Sequence, residues 1–92
     1  MGENSERDFL PGDVVRHFKW ETLDEEQRKN NMYLYRILGR AEHTETGEKL
    51  MCYQALYGEG KICARPLAMF MSEVDREKYP EIRQRYRFEK TS

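Results

Sequence analysis

The run His43–Phe70, HTETGEKLMCYQALYGEGKICARPLAMF, constrains the fold more than any other part of the chain. It holds two reversal signals: Gly47 in a polar loop, and Gly58-Glu59-Gly60 between two apolar-rich segments. Glycine reaches positive φ at no steric cost, so each signal marks a place where the chain can turn back. Between them Leu50–Tyr57 alternates, with Leu50, Cys52, Gln54 and Leu56 set against Met51, Tyr53, Ala55 and Tyr57. That period of two is the period of a strand. Ile62–Arg65 returns, and Pro66, which has no N–H to donate, stops the ladder. Leu67–Phe70 then reads as a single turn that carries Met69 or Phe70 into the core. A two-residue turn at Glu59-Gly60 pairs Gly58 with Lys61, which sets Cys63 opposite Leu56 and Cys52 opposite Leu67. On that register the cysteines share a face but stand too far apart along it for a disulfide, at about 3.3 Å per residue. Both are therefore expected to be reduced and buried as small apolar side chains.

The same periodicity extends outward. Val14–Phe18 reads as a first strand, entered through Gly12-Asp13 after a Pro11-Gly12 turn and closed by Trp20. Tyr33–Glu42 is a second, with Tyr35, Ile37, Gly39 and Ala41 on one face. In the tail, Gln84, Tyr86 and Phe88 alternate with Arg83, Arg85 and Arg87, which predicts a last strand over 83–88. Thr22-Leu23-Asp24-Glu25 fits a capping box with Thr22 as N-cap, so residues 21–32 are either two helical turns or a solvated loop. Only 38% of the 92 residues are apolar, enough for one core and economical in a sheet with one solvated face. The expected fold class is mainly β: a small, strongly bent, five-stranded SH3-like barrel with one or two short helical turns. Residues 1–11 are expected to be a flexible N-terminal segment and 12–90 a single domain, with an insertion at about 21–32.

Charge limits the partners. Sixteen basic residues against 17 acidic ones leave a net charge of −1, which gives no support for general attraction to nucleic acid. No apolar run approaches membrane-spanning length, and no basic-then-apolar leader is present, so no membrane partner is expected and the default location is the cytoplasm. Two cysteines and two distant histidines, His17 and His43, fall short of a zinc ligand set, and no metal or cofactor is expected.

Several motifs, in order, resemble a bacterial family catalogued as domain of unknown function 1653. They are His17-Phe18-Lys19, Tyr35-Arg36-Ile37-Leu38, Ala41-Glu42-His43-Thr44-Glu45-Thr46, Tyr53-Gln54-Ala55-Leu56-Tyr57-Gly58 and Arg65-Pro66-Leu67-Ala68-Met69-Phe70. The likeness runs from about Gly12 to about Phe88. Trp20 stands where the family usually has Gly, Glu21–Met32 looks inserted, and Cys63-Ala64 replaces an aromatic-aliphatic pair. The resemblance implies a compact β domain in a bacterial cytoplasm, and no reaction.

Two stretches are candidate sites. His43 and Glu45 share a loop with two threonine hydroxyls and are the one acid-base pair worth naming; the plainer reading is that these side chains bond their own backbone to shape the turn. Tyr53 and Tyr57 share a strand face with Met51, and Arg65 lies close across the hairpin. An aromatic face beside an arginine suits a peptide or base platform, and otherwise such a face is core. With Leu50, Cys52 and Leu56 taken as the inward set, the tyrosines are expected on the outer face. Arg83, Arg85 and Arg87 form a basic stripe, read either as a route to nucleic-acid phosphates or as protection of a sheet edge. No catalytic constellation is present: no nucleophile, orienting group or phosphate-cradling glycine loop accompanies His43 and Glu45. The expected function is a non-catalytic binding module for a protein, peptide or nucleic-acid partner. The alternative is a small enzyme, or enzyme subunit, using His43 and Glu45.

Overall fold

A computed structural model of the chain describes residues 8–91. Five strands form one antiparallel sheet: β1 (Val14–His17), β2 (Leu34–Glu42), β3 (Lys49–Ala55), β4 (Ile62–Pro66) and β5 (Phe88–Lys90). Their order is β4-β3-β2-β1-β5. Two short helices, α1 (Glu25–Lys29) and α2 (Leu67–Phe70), and a 3-10 turn at Phe18–Thr22 interrupt the strands. The mainly β expectation holds. The sheet is open, with β4 and β5 at its edges, so the hydrogen-bonded closure of a barrel is not formed among the described residues.

The sheet nonetheless curls. A register shift between Ile37 and Gly39 puts a bulge in β2, and Gly39 sits there at φ 147°, a conformation open to glycine alone. Curling brings the two edge strands together through side chains: the Arg65 guanidinium of β4 lies 5.6 Å from the centre of the Phe88 ring of β5. The concave face is filled by Val15, Tyr35, Ile37, Met51, Tyr53, Ala55, Phe70 and Phe88, all buried. A second, smaller cluster of Phe18, Val74 and Ile82 packs with Tyr79.

Several expectations change at the level of register. The β3–β4 hairpin pairs Tyr53 with Cys63 and Gln54 with Ile62, so Gly58 does not face Lys61. Ala55 donates its N–H to Lys61, and Leu56 turns away to donate to Leu34 of β2, so the loop is longer than the two residues Glu59-Gly60. A three-residue slip is odd, and an odd slip exchanges faces. Cys52 pairs with Ala64 and Cys63 with Tyr53, which puts the two free cysteines on opposite faces of the sheet, only half-buried.

The inward set of β3 is also corrected. Met51, Tyr53 and Ala55 are buried while Leu50, Cys52 and Leu56 are not. Pairing decides this: the inward Tyr35 and Ile37 of β2 stand opposite Ala55 and Tyr53. A tyrosine ring fills the core as well as leucine does, provided its hydroxyl finds a partner.

The termini of elements move for local reasons. β1 ends at His17 rather than running to Phe18, because the His17 Nδ1 accepts the Lys19 N–H and starts the 3-10 turn that carries Trp20. The helix after it is capped by Asp24, not Thr22, with Gln27 completing a capping box, and none of its residues is buried. The tail is not a strand over 83–88: only Phe88–Lys90 pairs with β1. The Gln84 amide donates to the carbonyls of Arg16 and Tyr86, and a side chain that bonds its own neighbouring backbone competes with an extended ladder. Gln84 and Phe88, which the alternation sets on one face, are both buried.

Of the two residues offered for the core by α2, Phe70 takes the place and is fully buried, while Met69 is exposed. Residues 1–7 of the segment expected to be flexible lie outside the described residues. Within it, Phe9 is buried and meets the Phe70 ring edge-on at 5.7 Å.

Candidate functional site

The site lies where the curled sheet brings its edges together. Tyr35 comes from the middle strand β2, Tyr53 from β3, Tyr57 from the loop after it, and Cys63 and Arg65 from β4. These side chains and Lys61 line a cavity of about 440 Å³. Its tyrosines hold one another in place. The Tyr35 and Tyr57 hydroxyls are hydrogen-bonded at 2.8 Å, and the rings of Tyr35 and Tyr53 meet edge-on at 5.2 Å. Burial, then the bond to Tyr57, pushes the Tyr35 hydroxyl far above its ordinary pKa, so it stays protonated. The Arg65 Nε donates to the Tyr53 hydroxyl at 3.1 Å.

Tyr53, Tyr57 and Arg65 are thus brought together, as the strand pattern predicts, but on the concave face. Tyr53 presents its hydroxyl rather than its ring face, since the residue is 4% exposed. Tyr57 is half-buried at the rim.

His43 and Glu45 line neither this cavity nor its neighbour described next. The His43 Nδ1 accepts the N–H groups of Glu45 and Thr46, at 3.2 and 3.3 Å, and the Thr46 hydroxyl accepts from Glu48. Local turn bonding accounts for this stretch.

The arginine stripe disperses for the same reason that the tail is not a strand. Arg85 forms a salt bridge with Glu73 at 3.2 Å, Arg83 lies beside Trp20 and Glu21, and Arg87 turns the other way.

Arg87 turns into a second cavity, of about 300 Å³, which shares Arg65 as a wall and adds His17, Lys19, Lys78 and Asp75. A chain of rings links the two cavities: His17 to Tyr33 at 5.5 Å, and Tyr33 to Tyr57 at 6.2 Å. His17 is lowered from 6.5 to about 4, first by burial and then by the cations Arg65, Lys19 and Arg87. Because Nδ1 accepts from Lys19, the neutral ring carries its proton on Nε2.

The strand patterns did not point to this pocket. They place Arg87 outward with Arg85 and leave His17 as one of two histidines far apart. The available signal is the His17-Phe18-Lys19 motif, whose role is visible only once β1 is paired with β5.

His17 makes stability pH-dependent in a stated direction. Its folded pKa, about 4, is below the unfolded value of 6.5, so the unfolded chain binds more protons between these values. The contribution is complete above pH 6.5 and is lost as pH falls toward 4. After discounting for solvent screening, the loss should be about 1–2 kcal/mol relative to His17→Gln over that window. Urea unfolding of both proteins at pH 7 and pH 4.5 measures it; parallel stability curves would show that His17 is solvated.

No curated protein and no solved structure matches the chain. Residues 13–90, which include the sheet and both cavities, match the family model described as "Protein of unknown function (DUF1653)". The chain belongs to that family.

Proposed function

We propose that the chain is a non-catalytic binding module that takes a short segment of a partner protein into the groove between Tyr53, Tyr57 and Arg65. The placement of Arg65 carries this reading. Its guanidinium is held by the Tyr53 hydroxyl at the wall between the two cavities, set before any ligand arrives. A donor fork that is already ordered loses little further freedom on binding. Tyrosine and arginine are also the side chains that most often dominate interfaces. The curl of a five-strand sheet, with a helical turn after its fourth strand, supports an SH3-like relationship. Two unpaired thiols accord with a reducing bacterial cytoplasm as the setting. Catalysis by His43 and Glu45 has less support, because the His43 Nδ1 is occupied by loop amides.

The test is capture of a partner from host lysate, followed by binding of that purified partner to variants. Tyr57→Ala and Arg65→Ala should each weaken binding by about tenfold or more, as interface anchors do, with both proteins still folded at the assay temperature. Tyr53→Phe, which removes only the hydroxyl that holds Arg65, should have a smaller effect in the same direction. Undiminished binding by Tyr57→Ala and Arg65→Ala, or capture of nucleic acid in place of protein, would remove the proposal.

A further inference from the structure

We propose that the cavity bounded by His17, Lys19, Arg65, Lys78 and Arg87 is a binding site for a phosphate monoester dianion. This goes beyond the partner-protein reading and does not need it: the tyrosine groove and the cationic pocket share Arg65 but are lined by different residues otherwise.

Four cations line one small cavity in a chain whose net charge is −1. Asp75 is the single carboxylate there, and its Oδ1 already accepts the N–H groups of Glu77 and Lys78. No salt bridge joins Lys19, Arg65, Lys78 or Arg87 to any carboxylate among the described residues. Four cations elsewhere are paired with carboxylates: Arg40 with Asp8, Lys49 with Glu42, Arg85 with Glu73 and Lys90 with Asp13. Like charges gathered without carboxylate partners repel one another, and an anion between them removes that cost.

The groups also suit a phosphoryl head. Two arginine forks and two ammonium groups supply charge-assisted donors for several oxygens of one dianion, which a carboxylate would use only in part. His17 adds a neutral donor. Its Nδ1 is occupied by the Lys19 N–H, so Nε2 keeps the proton, and burial, then the surrounding cations, keep the ring from charging. A neutral donor adds a hydrogen bond without adding to the repulsion in the empty pocket. The Lys19 ammonium lies 6.0 Å from the Tyr79 ring, a loose contact that leaves it free to turn toward an anion. A volume of about 300 Å³ exceeds what inorganic phosphate fills, so there is room for the group that the phosphate esterifies.

The test is titration of the full chain with inorganic phosphate at low ionic strength and neutral pH, followed by NMR of the His17 ring and arginine side-chain signals. Parallel arms use O-phosphoserine and adenosine 5′-monophosphate to tell an amino-acid ester from a nucleotide. Saturable binding is expected in at least one arm, and the stronger ester identifies the source of the phosphate. Occupancy should raise the His17 pKa above about 4, because the anion offsets Arg65, Lys19 and Arg87 while the effect of burial remains; Asp75 and Lys78 also face the ring's cavity and stay unchanged in the comparison. A role for His17 in folding alone would not move with ligand. Arg87→Gln and Lys19→Gln should each weaken binding about tenfold, a charge-assisted bond apiece. If Arg87→Gln unfolds, Lys19→Gln and the charge-keeping Arg87→Lys decide the matter. No saturation in any arm, equal response to chloride, or binding untouched by Lys19→Gln would overturn the proposal. Failure here leaves the tyrosine groove standing, since partner capture is scored by Tyr57→Ala.

Discussion

Replacing Phe70 with alanine is expected to cost about 3–5 kcal/mol of stability, the range for a large aromatic removed from a core that cannot collapse around the hole. Phe70 is fully buried, and three rings from different parts of the chain rest on it. It stacks on Phe88 of β5 at 4.1 Å with the planes 8° apart, meets Tyr53 of β3 at 5.2 Å, and takes the edge of Phe9 at 5.7 Å. No single neighbour can move into the space without leaving another contact. The effect should reach the binding groove, because Phe88 also lies under the Arg65 guanidinium. Urea unfolding of wild type and Phe70→Ala measures the cost. Met69→Ala is the comparison: Met69 is 47% exposed and should cost well under 1 kcal/mol. A small loss for Phe70→Ala, or equal losses for the two, would mean that α2 does not close the core.

Gln84→Leu is expected to cost about 2–4 kcal/mol, although leucine has nearly the same size and is more apolar. Gln84 is a polar residue 5% exposed, and it joins three parts of the chain. Its Nε2 donates to the Arg16 carbonyl of β1 and to the Tyr86 carbonyl, each at 2.9 Å, and its backbone N–H is accepted by the Glu21 carboxylate at 2.8 Å. Leucine keeps the last of these and removes the first two. Buried carbonyls left without a donor cost about 1–3 kcal/mol each. Glu21→Gln should cost less, because an amide oxygen can still accept one of the two N–H groups, those of Arg83 and Gln84, that the carboxylate takes now. Denaturant midpoints of Gln84→Leu and Glu21→Gln give the ranking. A Gln84→Leu protein as stable as wild type would show that water replaces the amide and that the tail is not tied to β1 by this side chain.

These two residues mark what was and was not legible in the chain. Phe70 was legible: an Arg-Pro stop followed by Leu-Ala-Met-Phe leaves one turn and two candidates for the core. That Gln84 shares a face with Phe88 was legible as well, from alternation. Its amide bonds were not, because the Arg16 carbonyl is 68 residues away. The strand content, the two reversals in His43–Phe70, the shared face of Tyr35 and Ile37, and the turn-forming alternative for His43-Thr44-Glu45-Thr46 all rest on spacing along the chain, and spacing is local.

By itself, then, the sequence determined a mainly β chain with a central meander, a place for Phe70 or Met69 in the core and a tyrosine-arginine grouping across one hairpin. Tertiary structure alone decided which face of β3 is inside, since Leu50, Cys52 and Leu56 are as apolar a set as Met51, Tyr53 and Ala55, and only pairing with Tyr35 and Ile37 separates them. It alone gathered His17, Lys19, Arg65 and Arg87, which come from three separate stretches of the chain. The physical reason is the same in both cases. Alternation sorts residues into two faces but does not say which face is covered, and the register that chooses is set by bonds between distant strands.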